Sequence, residues 1–230
     1  MLRLAHLFRW AYFFVSMEKK RRVIVYVDGF NFYYGLKHNS WRRYYWLDIV
    51  KFFESFMRDG QELVKVKYFS AKPNDIDKSR RQNAFFQANK VNPKFELVLG
   101  KYLNKTITCH NCGYIINTYE EKETDVRIAT QVVADAYKKN CDIAIIVSAD
   151  SDMVPSIELA QEAGIMTFVY FPPAHYSSNL ASLCHNKPIL LSRYESRFRQ
   201  SLLPDNVTLS SSGYVLSIPP EWKVWQVNRR

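Results

Sequence analysis

The stretch Ile143-Ala-Ile-Ile-Val-Ser148-Ala-Asp150-Ser-Asp152-Met153 is the most informative segment of this 230-residue chain. An apolar run of strand length ends at Ser148 and then delivers two carboxylates, Asp150 and Asp152. A run this apolar fits a strand covered on both faces, as in a parallel sheet held between helices. In an open α/β sheet, ligands bind in the crevice beyond the carboxyl ends of the strands, so acids placed there are candidates for chemistry. Val23-Ile-Val-Tyr-Val27 has the same design and leads into Asp28-Gly29-Phe30-Asn31. Two strands ending in Asp imply one shared acidic site.

Outward from these strands the pattern is α/β. Asp48 suits the N-cap of a helix over 49–57, closed by Asp59-Gly60. Leu63–Ser70 alternates as a half-exposed strand should, 75–90 is an amphipathic helix, and Phe95–Leu103 is a further strand. Beyond Asp152 a helix reaches Ala163-Gly164, and Met166–Tyr170 forms a strand that Pro172 and Pro173 terminate. This strand–helix–strand spacing fits a right-handed parallel crossover. Residues 175–185 read as helical and Pro188–Leu191 as a last short strand; from Arg193 the pattern over Glu195–Gln200 allows a helix, but Pro204, Ser210-Ser-Ser-Gly213 and Pro219-Pro220 predict an irregular extension. The domain expected from these signals is 22–192, with an N-terminal extension over 1–21 and a C-terminal one over 193–230.

The formal net charge of +10 is unevenly spread. Residues 1–22 carry six Lys/Arg against one acid, 37–105 carry fifteen against seven, and 106–192 carry five against ten, giving +5, +8 and −5. A basic surface beside an acidic pocket suits a polyanion gripped along its backbone and attacked at a metal-filled centre. Lys78, Arg80 and Arg81 form one candidate phosphate-facing cluster. The basic, aromatic run Trp41-Arg42-Arg43-Tyr-Tyr-Trp46 is another, with a loop packed on the core as its bland alternative. Four cysteines do not make a disulfide framework, so a reducing, cytoplasmic setting is expected. The apolar stretch within Met1–Val15 is broken by Arg9 and too short to span a bilayer, and Met17 is the expected true start. No membrane association is expected.

Two further features bear on chemistry. A helix with the stripe Ile128, Ala129, Val132, Val133 and Ala136 follows Glu120–Asp125, and counting back by three and four from the stripe places Asp125 on its buried face. Asp135 is expected to be solvated on the opposite side. Cys109-His-Asn-Cys112-Gly113 forms a tight knuckle and supplies half of a tetrahedral zinc site. The other half would have to come from the scattered His110, His175, His185, Cys141 and Cys184, or from a second copy of the chain in a homodimer. A metal-free β-turn closing a hairpin is therefore preferred over zinc.

Val-Asp28-Gly-Phe-Asn31, Glu-Thr-Asp125-Val and Ser148-Ala-Asp150-Ser-Asp152, in this order and at these element ends, resemble the NYN (LabA-like) branch of the PIN-like nucleases. The Cys109-x-x-Cys112 knuckle and the late Ser201-Leu-Leu-Pro-Asp205 stretch resemble one bacterial subgroup of it. The resemblance covers about residues 22–206. It implies a PIN-like three-layer α/β/α fold with a mainly parallel sheet and the Cys-x-x-Cys hairpin as a small insertion. It also implies a ribonuclease using Mg²⁺ or Mn²⁺. Position by position, Asp28, Asp125, Asp150 and Asp152 match the acidic metal site, and Asn31 and Ser148 match its polar neighbours. Ala149 stands where many members have Gly.

The chemistry such residues allow is phosphodiester hydrolysis: carboxylates around one point repel each other until a hard cation takes their oxygens. RNA, single-stranded, is the substrate the resemblance implies, with Arg42, Arg43, Arg80 and Arg81 as its grip. Two rivals are a phosphatase with an aspartyl nucleophile, which would want an acid where Phe30 stands, and an inert RNA-binding protein that retains the acids. No Ser-His-Asp or Cys-His pattern supports covalent catalysis.

Overall fold

A computed structural model of the protein describes residues 19–184, 187–209 and 212–227. The expectations for residues 1–18, including Met17, and for His185 fall outside these residues. The central sheet has six parallel strands in the order β3-β2-β1-β6-β7-β8. These are β1 (Arg21–Asp28), β2 (Gln61–Ser70), β3 (Phe95–Leu99), β6 (Ile143–Val147), β7 (Met166–Phe171) and β8 (Ile189–Leu190). The chain builds outward from β1 to β3, then restarts beside β1 with β6 and builds the other way. β1 and β6 therefore flank the topological switch point, in register from Val23 opposite Ile143 to Val27 opposite Val147.

Helices cover both faces, which explains why the central strands are apolar over Val23–Val27 and Ile143–Val147. Val23, Val25 and Val27 face a layer made by α1 (Gly29–His38), α2 (Ile49–Glu54) and α3 (Ile76–Asn89), through Phe32, Leu36, Phe52, Phe53, Phe85 and Phe86. Ile24 and Tyr26 face α4 (Thr124–Tyr137), α5 (Val154–Glu162) and α6 (Ser178–Ser182), through Ile128, Val132, Ile157, Ala160 and Leu180. The result is the three-layer α/β/α arrangement expected. Asp48 caps α2 by accepting from the Lys51 amide at 2.9 Å, as its position predicts.

Several local expectations are corrected. The single strand Phe95–Leu103 is two: β3 ends at Leu99, Gly100 hands its N–H to the Ser70 carbonyl at 2.8 Å, and the chain leaves the sheet. It continues as an antiparallel hairpin of β4 (Lys101–Thr108) and β5 (Ile115–Lys122), the expected Cys-x-x-Cys insertion. The Trp41–Trp46 run is packed inward: Trp41, Tyr44 and Trp46 are buried in the core, because the aromatic bodies outweigh the two arginines that remain at its surface. Beyond Arg193, Glu195–Gln200 forms α7 in keeping with its helical pattern, whereas the stretch expected to be irregular contributes the hairpin β9 (Asn206–Thr208)/β10 (Val215–Ser217) and α8 (Pro220–Val227). Phe198 is fully buried, stacked 6.2 Å from Phe32 and 4.2 Å from Phe52, and Leu202 bridges to Leu47. Its prolines and serines hid a segment anchored by Phe198, Val207 and Ile218 in the core and by Trp222 packed against it. Among the described residues no helix is long and apolar enough to cross a membrane.

Candidate active site

The first turn of α1 organises the site. Asp28 ends β1 and serves as the N-cap of α1, with Oδ1 accepting from the amides of Phe30 at 3.1 Å and Asn31 at 3.0 Å. Its Oδ2 accepts from Asn31 Nδ2 at 2.8 Å and from Ser148 Oγ at 2.9 Å. Gly29 is required by space: a Cβ there would collide with the Phe69 carbonyl and lie 2.6 Å from the Tyr68 ring. On the neighbouring strand, Ser148 Oγ also accepts from the Asp150 amide at 3.0 Å, and Asp150 Oδ1 accepts from the Asp152 amide at 3.0 Å, closing a short turn over Ser151–Met153. The order of contacts is thus Asn31, Asp28, Ser148, Asp150, Asp152 across the β1/β6 switch point.

Asp28 is 2% exposed. Burial pushes its pKa above the ordinary carboxylate range, the hydrogen bonds from Asn31 and Ser148 hold it down, and the charge of Asp150 adds to the rise. The Ser148 hydroxyl therefore joins the Asp28 carboxylate to the Asp150 backbone amide. Asp152 is exposed on the turn that Asp150 caps.

Asp125 departs from expectation. It is exposed, and the buried first-turn residue of α4 is Thr124. The packed stripe runs by fours through Thr124, Ile128, Val132 and Ala136, which leaves Asp125 a hundred degrees round the helix. α4 nevertheless packs against the Ser151–Met153 turn that carries Asp152. Among the described residues no group of three or more His, Cys, Asp or Glu is gathered closely enough to form a ready-made metal cage. The oxygen donors that could hold a hard cation are headed by Asp28 and Asp150.

Asp135, expected in solvent, is 2% exposed on the inner side of α4. It accepts from Lys67 Nζ at 2.6 Å, Tyr26 Oη at 2.8 Å and Asn140 Nδ2 at 2.8 Å. Burial opposes its ionisation, but these donors outweigh it and hold its pKa below the ordinary range. Its ion pair with Lys67 ties α4 to β2, a structural role that a polar face in the sequence conceals.

The cationic candidates divide. Arg43 pairs with Glu195 at 2.7 Å and lies over the Tyr44 ring. Arg42 is exposed. Arg80 and Arg81 both reach Glu221 Oε1 on α8, at 3.2 and 3.1 Å. Cys109 and Cys112 sit at the hairpin tip, where the Gly113 amide bonds to the Cys109 carbonyl and the Cys109 amide to that of Tyr114, both at 2.9 Å.

Two histidines were not singled out for this site. His175 Nδ1 lies 3.2 Å from Asn31 Oδ1, and its Nε2 lies 3.2 Å from His38 Nδ1. Burial and the nearby His38 lower the His175 pKa, while Asp28 raises it. The available signal was positional, since His175 follows the Pro172-Pro173 stop at the carboxyl end of β7.

Against this geometry, the model of the NYN domain matches residues 22–191. The chain belongs to the NYN family. That places it in the PIN-like nuclease superfamily, whose fold the six-stranded sheet and its two helical layers reproduce. This NYN chain is 28% identical over 173 residues to 6-hydroxy-3-succinoylpyridine 3-monooxygenase of Pseudomonas putida, a match covering 60% of the chain and 55% of that relative. The chain thus spans about half the length of this curated relative. It is also similar in fold to the crystal structure of a protein of unknown function from Vibrio parahaemolyticus, with a TM-score of 0.52 and 21% identity over 76% of this chain and 96% of that one.

Proposed function

We propose that this NYN chain is a divalent-metal-dependent ribonuclease that hydrolyses phosphodiester bonds of single-stranded RNA in the crevice beyond β1 and β6. The observation that carries the reading is the Asp28–Ser148–Asp150 constellation, two acids on adjacent strand ends linked through one buried hydroxyl that bonds the Asp28 carboxylate and the Asp150 amide, with the charge of Asp150 adding to the rise in the Asp28 pKa. The donor set fits a hard cation. Mg²⁺ is commonly held by only one or two carboxylates, with water and substrate phosphate completing its shell, so a three-acid cage is not required. Asp28 and Asp150 would hold Mg²⁺ or Mn²⁺, with Asp152 and Asp125 as further oxygen donors on the elements beside them. When bound, the cation supplies Lewis-acid stabilisation of phosphoryl charge and a more acidic water for in-line attack.

The chain's own residues do the positioning. Ser148 and Asn31 fix both the orientation and the charge of Asp28 through its Oδ2. His175 fixes the Asn31 amide in turn. The basic stretch 37–105 gives RNA an electrostatic footprint, with Arg42, Arg80 and Arg81 at the surface.

The test is incubation of purified protein with labelled single-stranded RNA, duplex RNA and DNA, each with Mg²⁺, Mn²⁺ or EDTA. Metal-dependent cleavage of single-stranded RNA supports the reading. Cleavage undiminished in EDTA overturns the metal dependence. RNA binding without cleavage under every condition favours an inert binder, and neither binding nor cleavage turns attention to the aromatic heterocycle in the name of the Pseudomonas relative.

A further inference from the structure

Beside the acidic crevice lies a cavity of about 230 Å³ that the catalytic reading does not use. Its walls are mostly aromatic: Tyr33 and Tyr34 from α1, Tyr45, Tyr68 from β2, Phe86 from α3 and Trp222 from α8. Lys78, Arg81 and Gln82 give one edge positive charge and hydrogen-bonding capacity. The cavity and the acids share the first turn of α1, because Gly29 and Phe30 line it and Asp28 caps it. The Tyr68 hydroxyl, 3.5 Å from the Gly29 carbonyl, lies at that junction.

Tyr33, Tyr45 and Trp222 pack on one another into an aromatic wall that one flat ring can lie against. Tyr33 and Tyr45 lie with centroids 5.0 Å apart, and Trp222 meets Tyr45 edge-on at 5.7 Å. Tyr33 and Tyr34 remain 40% and 43% exposed, although they are large aromatic side chains on a well-packed helix. The Tyr45 hydroxyl is shielded beside Tyr33 and Arg42, and burial raises its pKa above the ordinary phenol value. The volume falls below the roughly 300–1,000 Å³ of sites for drug-sized ligands, so a single base fits better than a larger molecule. A carboxylate already occupies the cationic edge: Glu221 bridges Arg80 and Arg81.

We infer that this cavity is a nucleobase subsite for the RNA strand, stacking one base against Tyr33 and Tyr45 while Arg80 and Arg81 take a phosphate in place of Glu221. The inference rests on the ribonuclease reading for the identity of the strand, and it extends that reading to a second contact point. Stacking on aromatic side chains holds bases with little regard to sequence, so the subsite gives affinity and register rather than sequence choice. Its position next to Asp28 sets which phosphate enters the crevice. α8 forms one wall, and its Glu221 competes with the RNA backbone for the arginine pair.

The experiment measures binding apart from cleavage. Fluorescence anisotropy in EDTA compares a labelled single-stranded oligouridine with an abasic strand of equal length, for the full chain, Tyr33→Ala and Glu221→Gln. The base-bearing strand is expected to bind roughly five- to a hundred-fold tighter than the abasic one, and Tyr33→Ala to remove most of that difference. Tyr33 is exposed enough for truncation to leave the fold intact, which a thermal melt checks. Glu221→Gln is expected to tighten binding and steepen its fall with salt, because two freed arginines release more counterions. Equal affinity for base-bearing and abasic strands overturns the subsite even if RNA is cleaved. Base-dependent binding without cleavage keeps the subsite and defeats the ribonuclease reading. A Glu221→Gln chain with unchanged affinity and salt slope removes the arginines from the proposal.

Discussion

Replacing Asp28 separates its structural work from its chemical work. Its carboxylate accepts four hydrogen bonds at 2.8–3.1 Å, two from backbone amides of α1 and two from Asn31 and Ser148. In Asp28→Asn, the amide oxygen keeps the helix cap, since Asn caps about as well as Asp. The new NH₂ group can donate to Ser148, and Asn31 can turn its own amide over to offer an oxygen. The net change should stay within about 1 kcal/mol, helped by relief of the burial cost that raises the Asp28 pKa and of the smaller contribution from the charge of Asp150. Asp28→Ala loses the cap, about 1 kcal/mol, and strands the buried Ser148 hydroxyl, about 1–3 kcal/mol. Its melting temperature should therefore fall by roughly 5–15 °C, at 2–4 °C per kcal/mol for a chain of this size. Cation binding at a hundred times Kd stabilises by about 2.7 kcal/mol, or roughly 5–11 °C, in the unaltered chain. Thermal melts with and without Mn²⁺ measure all of these quantities. Asp28→Asn should melt close to wild type and show no Mn²⁺ shift. An Asn variant as unstable as the Ala variant, or one with the full Mn²⁺ shift, would refute the reasoning.

Other substitutions probe the frame around the site. Asp135→Ala should cost about 3–5 kcal/mol by leaving Lys67 buried without its partner, whereas Asp135→Asn with Lys67→Met should cost much less; chemical denaturation that shows no gap between them counts against the pair. Because Asp135 has a depressed folded pKa, its contribution is present above about pH 4 and is lost as pH falls through the folded value. The double variant should accordingly show a flatter acid limb of stability against pH. Gly29→Ala should cost about 1–3 kcal/mol or more through overlap with Tyr68 and Phe69, and a melt within 1 °C of wild type would be inconsistent with the close approach drawn here. Serine at both Cys109 and Cys112 should cost under about 1 kcal/mol, since the turn is closed by backbone hydrogen bonds; stoichiometric zinc in elemental analysis, lost in that variant, would reverse the preference for a metal-free turn.

The centre of the sheet was legible because Val23–Val27 and Ile143–Val147 are buried on both faces and apolar without a break, which fixes β1 and β6 without reference to anything distant. Asp28 and Asp150 were legible for the same reason, since each is the first acid after such a run. Asp125 was misplaced because α4 packs along Thr124, Ile128, Val132 and Ala136, and a count by threes and fours cannot tell this stripe from one turned by a residue. Asp135 was misread because its partners Tyr26 and Lys67 lie 109 and 68 residues away, beyond any local pattern. Arg80 and Arg81 showed as a cluster, but the carboxylate that engages them arrives from residue 221. His175 reaches the site only through the packing of the β7 end against α1, where Gly35 admits Pro172 and Pro173 at close range.

The central claim is that Asp28 and Asp150 act together on RNA through a shared cation. Its most direct test is the initial rate of cleavage of labelled single-stranded RNA at saturating Mn²⁺, measured for wild type, Asp28→Asn and Asp150→Asn, with EDTA as the control. Wild type should cleave only with metal, and each variant should lose at least about a hundred-fold in rate while retaining its fold. Either variant cleaving at the wild-type rate, or wild type cleaving equally in EDTA, would contradict the account.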